Sequence, residues 1–214
     1  MTTDRADGRE KLLNAALKLF AERGRDSVSL RDIAAEAGVT HGSVRYHFGT
    51  KENLYIAAVM RLGTHSERVF DGKPRDLPDT FSPEQARDYL RGFVRRFVAF
   101  QARAGADPLA AQGLLRAEIS REGGPDPVFF ERVIKPGHDH VKRLFALMLP
   151  DVQDDRTLEI LAFNLIFQCV MIRIGRGIIT RLFHAETLSP QIVDQISELI
   201  ITVTLGGIGA VEER

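Results

Sequence analysis

The sequence contains a single cysteine, carries no net charge and has no uninterrupted apolar run long enough to cross a membrane. The lone Cys169 excludes an intramolecular disulfide and gives no support for a cysteine-based zinc site. Lys and Arg total 29 residues, as do Asp and Glu, so the chain lacks the basic excess typical of many nucleic-acid-binding proteins. Nucleic-acid binding would therefore require basic groups gathered on one small surface.

The sequence also lacks the marks of export or membrane insertion. Its N-terminus, MTTDRADGRE, is polar and carries acidic residues, so we expect no signal peptide. The most apolar stretch, residues 158–174, is interrupted by Asn164, Gln168 and Arg173, whereas a spanning helix needs about 20 predominantly apolar residues. We therefore interpret this stretch as a buried helix. With 44% hydrophobic and 27% charged residues, we expect a globular cytoplasmic protein without a membrane partner.

Apolar residues recur with helical spacing along most of the 214-residue chain, and no segment alternates as a β-strand does. Residues 71–83, DGKPRDLPDTFSP, are rich in Pro and Asp and have no apolar period, which is typical of a linker. We therefore predict an all-α fold with an N-terminal three-helix domain over residues 8–70, a linker over 71–83, and a larger helical domain over 84–214.

Within the larger domain, local signals place the helix boundaries. Ser82 and Pro83 are suited to the N-cap and first position of a helix that runs to about residue 104. A proline inside a helix removes a backbone hydrogen bond, so Pro136 should kink or break the helix that contains it. The later helices are predicted over residues 108–121, 127–149, 156–183 and 190–205.

Residues 29–55, SLRDIAAEAGVTHGSVRYHFGTKENLY, contain the signals of two short helices joined by a tight turn. Ser29 can cap the first helix, with Asp32 in place of the usual Glu or Gln of a capping box. Gly38 lies where a helix end favours a left-handed residue, and Thr40 can cap a second helix. This arrangement matches a helix-turn-helix, although such corners also occur as plain packing units.

The polar surface of the second helix favours the DNA-binding interpretation. Its donors and aromatics are Thr40, His41, Ser43, Arg45, Tyr46 and His47, and none of its residues is acidic. Surface helices usually include Glu and Asp for solubility, whereas a helix without acids suits a polyanion. Lys51 begins the next helix, where a cation is unfavourable because it opposes the helix dipole. Its presence there is explained if a DNA phosphate binds to both the ammonium and the helix N-terminus. The alternative for Lys51 is a solvated side chain.

This segment resembles the signature of the TetR family of transcriptional regulators, roughly A-x-x-A-G-V-[ST]-x-G-x-[IL]-Y-x-[HY]-F-x-[ST]-K-x-x-L. The matching residues are Ala34, Ala37, Gly38, Val39, Thr40, Gly42, His47, Phe48, Thr50, Lys51 and Leu54. The resemblance extends back to about Arg9 and implies phosphate contacts from Ser29, Arg31 and Lys51. It also implies recognition-helix contacts from Thr40, His41, Gly42, Ser43, Arg45, Tyr46 and His47. Arg45 departs from the pattern, which usually has an aromatic there, and an arginine can bind phosphate or a guanine edge.

The second half is similar to the CecR-like branch of the same family. The residues that carry this similarity are Arg121, Glu122, Pro125, Pro127, Ile134, Lys135, Pro136, His138 and the region 168–173. The resemblance implies that residues 8–70 form the DNA-binding domain and residues 84–214 the effector-binding and dimerisation domain. It further implies a homodimer through the two C-terminal helices, a double-stranded palindromic operator, a small-molecule effector and, as the usual mode, repression. The last helix carries the apolar stripe Ile192, Ile196, Leu199, Ile200 and Val203, which could equally fill the core of a monomer.

Five residues are candidates for the effector site: Phe97, Phe100, His138, Asn164 and Gln168. Asn164 and Gln168 are amides one turn apart within an apolar helix, and buried amides need partners that a ligand can provide. Two alternatives stay open: the amides bond across a dimer interface, and the two phenylalanines belong to the core.

A rival interpretation is an enzyme or metal-binding protein that uses His138, Asp139 and His140 with Glu118 and Glu122. Histidines two residues apart on a helix point to different faces, unlike the i, i+4 pair of a helical zinc motif. The sequence has no nucleophile elbow, phosphate loop or dinucleotide fingerprint. We therefore expect that the protein is not an enzyme and that it binds neither a cofactor nor a metal ion. A third hypothesis, a helical adaptor for another protein, predicts no DNA binding.

Overall fold

All regular secondary structure is helical in residues 2–66, 77, 80–103 and 109–212, which are the residues that the structure, a computed structural model, describes. The helices are α1 (Thr2–Arg23), α2 (Leu30–Glu36), α3 (His41–Phe48), α4 (Lys51–Ser66), α5 (Pro83–Ala102), α6 (Leu109–Ile119), α7 (Pro127–Phe129), α8 (Lys135–Met148), α9 (Asp155–Ile174), α10 (Arg176–Leu182) and α11 (Pro190–Glu212). A π-helical segment, Phe130–Ile134, joins α7 to α8. The predicted all-α class is confirmed.

The chain forms two compact units, and each contains residues from both halves of the sequence. The N-terminal unit consists of Met1–His65 and Gly105–Ile134, and the C-terminal unit of Ser66–Ala104 and Lys135–Arg214. The Pro- and Asp-rich composition of residues 71–83 predicted a division at that linker, most of which lies outside the described residues. Packing divides the chain elsewhere because α6 lies along α1 within the N-terminal unit.

The core of the N-terminal unit forms where α1 to α4 bury their apolar faces. Leu13, Leu17 and Phe20 of α1, which the helical spacing places on one stripe, are all buried there. α1 ends at Arg23, and Gly24 follows with φ of +75°, a conformation that favours glycine. Leu114 of α6 and Phe129 of α7 are fully buried in the same cluster.

The C-terminal unit is built on α5, which packs against α8, α9 and α11. Ser82 caps α5 in a capping box with Gln85, and Pro83 occupies the first turn, as predicted. The face that α5 buries includes Leu90, Phe93 and Val98. Cys169 of α9 lies in the same core, and burial raises the pKa of its thiol to about 12, so the thiol stays protonated and unreactive at neutral pH.

Two predicted helices are divided in the structure. The helix expected over residues 127–149 is interrupted by the π-helical segment Phe130–Ile134, in the turn that precedes Pro136, where a proline is expected to disturb a helix. Pro136 is the second residue of α8 and has no N–H to donate to a carbonyl of that preceding turn. The helix expected over 156–183 ends at Gly175, where a Cβ would lie 3.0 Å from the Met171 carbonyl oxygen. α11 extends past the predicted end at residue 205, to Glu212.

The two C-terminal helices are apolar but largely exposed in the single copy. Residues Asp155–Ile174 and Pro190–Gly209 are long and apolar enough to cross a membrane by length and composition alone. In the single copy, 28% of the first segment and 22% of the second is buried. The sequence interpretation of residues 158–174 as a buried helix is therefore only partly correct. One face of α9 is buried, and the other exposes Ile160, Phe163 and Phe167.

Candidate nucleic-acid interface

The start of α2 has the geometry that its sequence predicts. Ser29 lies at the N-cap, and its hydroxyl accepts a hydrogen bond from the Asp32 backbone N–H at 3.2 Å. The Asp32 carboxylate in turn accepts from the Ser29 backbone N–H at 2.8 Å and from its hydroxyl at 2.7 Å. These hydrogen bonds from Ser29 lower the pKa of Asp32, because they stabilise the ionised carboxylate. Aspartate thus completes a capping box in place of the usual glutamate.

The turn between α2 and α3 is a helix-turn-helix corner. Gly38 adopts φ of +66°, which the left-handed end of α2 requires, and Thr40 caps α3 by accepting from the Ser43 backbone N–H at 3.3 Å. Gly49 ends α3 with φ of +73°. The roles of Gly38 and Thr40 were predicted from residue type alone.

The helix α3 presents a polar face to solvent and an apolar face to the core. Val44 and Phe48 are buried, whereas Tyr46 exposes 60% of its surface. The recognition-helix candidates that are exposed are Thr40, His41, Gly42, Arg45 and Tyr46, and those that are half-buried are Ser43 and His47. The hydroxyls of Thr40 and Ser43 lie 3.0 Å apart, so both take part in the helix cap.

Contacts with α1 fix the orientation of α3. The guanidinium of Arg9 lies 5.3 Å from the centroid of the Phe48 ring, a cation–π distance. A Cβ at Gly8 would lie 3.6 Å from Nε2 of His47, so α1 passes close to this half-buried imidazole. The rings of Tyr46 and His47 meet edge to face at 5.1 Å.

Lys51 begins α4, as predicted, but its ammonium is not simply solvated. Its Nζ donates to the backbone carbonyl of Arg25 at 3.0 Å and lies 3.5 Å from that of Asp26. An ammonium has three donors, so one N–H remains for a phosphate beside these two carbonyls. Ser29 and Arg31, the other predicted phosphate contacts, are both exposed at the start of α2.

A buried polar group beneath α4 was not predicted from the sequence. The Tyr55 hydroxyl donates to Oε1 of Glu118 at 3.0 Å, and the backbone N–H of Asp126 donates to Oε2 of the same carboxylate at 2.7 Å. Burial, and then the nearby Glu118 and Asp126 charges, raise the pKa of Tyr55 far above its usual value. From the sequence, Glu118 was a candidate only in the rival enzyme or metal-binding interpretation.

The five effector candidates lie in the C-terminal unit. Phe97 and Phe100 are half-buried; Phe97 lies 5.5 Å from the Phe93 ring, and Phe100 lies 4.9 Å beneath the Arg173 guanidinium. His138 has its Nε2 3.3 Å from a Glu159 carboxylate oxygen.

Asn164 and Gln168 are exposed on α9, on the face that also exposes Ile160, Phe163 and Phe167. The Asn164 side chain donates to the Ile160 carbonyl at 2.9 Å. These two amides therefore lie on the outer face of α9, away from the residues that α9 buries.

The rival metal interpretation finds no geometric support. His140 is buried, with the Tyr89 and Phe93 rings 5.7 Å and 5.9 Å from its own, whereas His138 faces Glu159. Among the described residues, no group of three or more His, Cys, Asp or Glu side chains is placed to hold a metal ion.

This fold and surface define a helix-turn-helix regulator, and the comparisons with known proteins give its family. Residues 12–58 match the family model "Bacterial regulatory proteins, tetR family". Residues 86–208, more than half of the chain, match that of the C-terminal domain of the "HTH-type transcriptional dual regulator CecR". The chain belongs to the TetR family, with a second half of the CecR type, so both resemblances are confirmed. The family consists of transcriptional regulators rather than enzymes.

Individual relatives agree with this assignment. The transcriptional repressor Rv3405c of Mycobacterium tuberculosis is 45% identical over 95 residues, 44% of this chain and 50% of that protein. The chain thus spans about half the length of that relative. CecR of Shigella flexneri is 29% identical over 190 residues, 82% of this chain and 83% of its own. The crystal structure of AibR with isovaleryl coenzyme A and operator DNA has a similar fold, with a TM-score of 0.55, 17% identity, and coverage of 92% and 97% of the two chains.

Proposed function

We propose that this chain is a sequence-specific DNA-binding transcriptional regulator, a repressor that a small-molecule effector releases from a palindromic operator. The observation that carries the proposal is α3, a capped helix at a helix-turn-helix corner that exposes His41, Arg45 and Tyr46 and carries no acidic residue. Its buried side chains, Val44 and Phe48, hold the polar face outward. We place this activity in the cytoplasm.

The predicted contacts divide by position into base-reading and phosphate-binding groups. We assign the major-groove edges to α3, with Arg45 the strongest candidate for a guanine because its fork can donate two hydrogen bonds. The Ser43 hydroxyl is engaged with Thr40, so we assign both residues to the helix cap and to phosphate. Ser29, Arg31 and Lys51 lie at the starts of α2 and α4 and are assigned to phosphates on either side of the groove.

We further propose that the regulator is a homodimer through α9 and α11. Ile160, Phe163 and Phe167 of α9 are exposed in one copy, as are Leu199 and Val203 of α11. Two apolar helices from each subunit would form a four-helix interface of the kind that buries such faces. Asn164 and Gln168 share the exposed face of α9, so we assign these amides to hydrogen bonds across the interface rather than to the effector.

The effector site is proposed to lie in the C-terminal unit, near Phe97, Phe100 and His138. AibR, whose fold this chain shares, was crystallised with an acyl-coenzyme A and DNA together, which supports a ligand-responsive regulator in general terms. The effector must bind one arrangement of the dimer more tightly than the other, since ligand binding shifts an equilibrium only by its differential affinity.

Selection of bound sequences from a random DNA pool tests this function directly. The expected result is a two-fold symmetric motif whose affinity falls steeply with salt. Arg45→Ala and His47→Ala should abolish specific binding and leave the dimer unchanged.

Arg116→Ala, which removes the same charge from the exposed face of α6, is the matched control and should bind normally. If the folded dimer enriches no sequence at low salt, the chain is not a DNA-binding regulator. Loss of folding in His47→Ala alone would assign that half-buried imidazole to the contact with α1.

A further inference from the structure

Two carboxylates from the second half of the chain are buried in the N-terminal unit. Glu118, at the end of α6, and Asp126, at the N-cap of α7, are each only 3% exposed. A buried carboxylate is unfavourable unless it is paired and hydrogen-bonded, so the partners of these two residues define what they do.

Their partners are groups of the helix-turn-helix region. Glu118 accepts from the Tyr55 hydroxyl of α4, one turn after Lys51, and from the Asp126 backbone N–H. One oxygen of Asp126 caps α7 by accepting from the Val128 backbone N–H at 2.9 Å, and the other lies 3.2 Å from the Arg25 guanidinium. That guanidinium also lies 5.2 Å from the centroid of the Tyr55 ring.

Arg25 connects these carboxylates to Lys51. Its side chain pairs with Asp126, while its backbone carbonyl accepts the hydrogen bond from Lys51 at 3.0 Å. Arg121 reinforces the same group, since its guanidinium lies 3.6 Å from Glu118 and 3.8 Å from Asp126. The segment between α1 and α2 is therefore held from one side by α4 and from the other by the α6–α7 connection.

We propose that Glu118 and Asp126 are positioning residues for DNA binding, which hold Arg25 and Tyr55 so that the Lys51 ammonium at the start of α4 is directed at a DNA phosphate. The inference rests on the proposed function, since it requires Lys51 to contact DNA. A buried ionic group is weak evidence for stability as such, because apolar residues of similar volume often serve as well. In this proposal the paired buried charges hold Arg25 and Tyr55 in one arrangement. A long, flexible lysine side chain such as that of Lys51 must be oriented in this way to contact a phosphate.

Glu118→Gln, compared with Glu122→Gln, tests the proposal. Glu122 is exposed in the same connection, so it provides the same chemical change without the buried partners. Affinity for the selected operator should fall about tenfold in Glu118→Gln after correction for the folded fraction, because one phosphate contact per subunit is weakened. The slope of log affinity against log salt should become shallower by about one for each phosphate that the protein no longer neutralises. Glu122→Gln should change neither quantity.

A double-mutant cycle with Lys51→Met separates positioning from general stability. If Glu118 acts through Lys51, Glu118→Gln should cost little or no further affinity in the Lys51→Met background. A purely structural role predicts a lower unfolding temperature with unchanged affinity and salt slope of the folded protein, and that result would overturn the proposal. Additive losses of affinity in the cycle would also overturn it.

Tyr55→Phe removes only the hydroxyl that donates to Glu118, and it replaces Glu118→Gln as the test variant if that protein fails to fold. It should weaken operator binding in the same direction and, like Glu118→Gln, lose its effect when Lys51 is replaced. If the wild-type protein selects no DNA at all, the proposed function itself fails. If the wild type binds and both Glu118→Gln and Tyr55→Phe match Glu122→Gln, only the positioning role fails.

Discussion

The rings of Phe163 and Phe167 stack on the outer face of α9, with centroids 5.4 Å apart and planes 21° from parallel. Both side chains are largely exposed in a single copy, although each is a large apolar group. Monomeric soluble proteins rarely keep such contiguous apolar surface in water, so we expect this pair to lie within the proposed dimer interface.

Phe167→Asp should therefore convert the dimer to a monomer, because a buried unpaired carboxylate is strongly unfavourable. Sedimentation at micromolar concentration measures the change, and far-ultraviolet circular dichroism should show unchanged helix content. Ala146→Asp, which places the same charge on the exposed side of α8, should leave the dimer intact. A Phe167→Asp protein that still sediments as a dimer would place the interface elsewhere.

Gly42→Ala should weaken DNA binding without harming the fold. A Cβ at this position would lie 3.7 Å from Oγ1 of Thr40, an ordinary van der Waals distance, so the free protein has room for it. Alanine also favours a helix over glycine by up to about 1 kcal/mol, so the unfolding temperature should hold or rise. The loss of affinity follows if the α3 backbone approaches the groove closely at this residue.

The matched control for this change is Gly137→Ala in α8, where a Cβ meets nothing within 4 Å. It should leave operator affinity unchanged. Normal affinity of Gly42→Ala would show that the start of α3 stands away from the DNA surface.

Ser29→Ala should raise the pKa of Asp32 towards its ordinary value, because two hydrogen bonds from Ser29 now stabilise the carboxylate. One of them comes from the hydroxyl that alanine lacks, and its loss from the cap should also cost about 1 kcal/mol of stability at neutral pH. Carboxyl carbon chemical shifts, followed through an acid titration, give the pKa directly.

The pH dependence has a definite sign. A carboxylate whose pKa is lowered in the folded state contributes stability above its unfolded value of 3.8, and that contribution disappears as the pH falls through the lower folded value. The difference in stability between wild type and Ser29→Ala should therefore shrink below pH 3.8. Ser27→Ala, at an exposed neighbouring turn, should show no such trend. An Asp32 that titrates at its ordinary value in the wild type would contradict the capping box.

The helix-turn-helix was predictable because its determinants are local. Ser29, Gly38, Thr40 and Gly49 each act on backbone groups within a few residues, so their types alone define where α2 and α3 begin and end. The burial of Val44 and Phe48 follows from helical spacing in the same way.

The remaining features depend on long-range packing, which periodicity does not encode. Tyr55 and Glu118 are 63 positions apart in the sequence. No residue next to either of them predicts that their side chains form a hydrogen bond. The apolar residues of α9 give the same sequence signal whether they face the core or solvent, so Leu165 is buried and Phe163 is exposed within one helix. The helix break at Gly175 was likewise not predicted, although an added Cβ there would lie only 3.0 Å from the Met171 carbonyl oxygen.

The composition of the N-terminal unit also limits where this chain can be joined to the sensor domain of another regulator. Leu114 and Phe129 complete its core from beyond residue 104, so a fragment that ends with α4 leaves a fully buried part of that core empty. A chimera that joins these DNA-binding helices to the sensor of another regulator must therefore carry residues 105–134 with them, or match their side chains in the recipient. A single junction between α4 and α5 would separate the DNA-binding helices from the side chains that complete their core, although residues 71–83 have the composition of a linker.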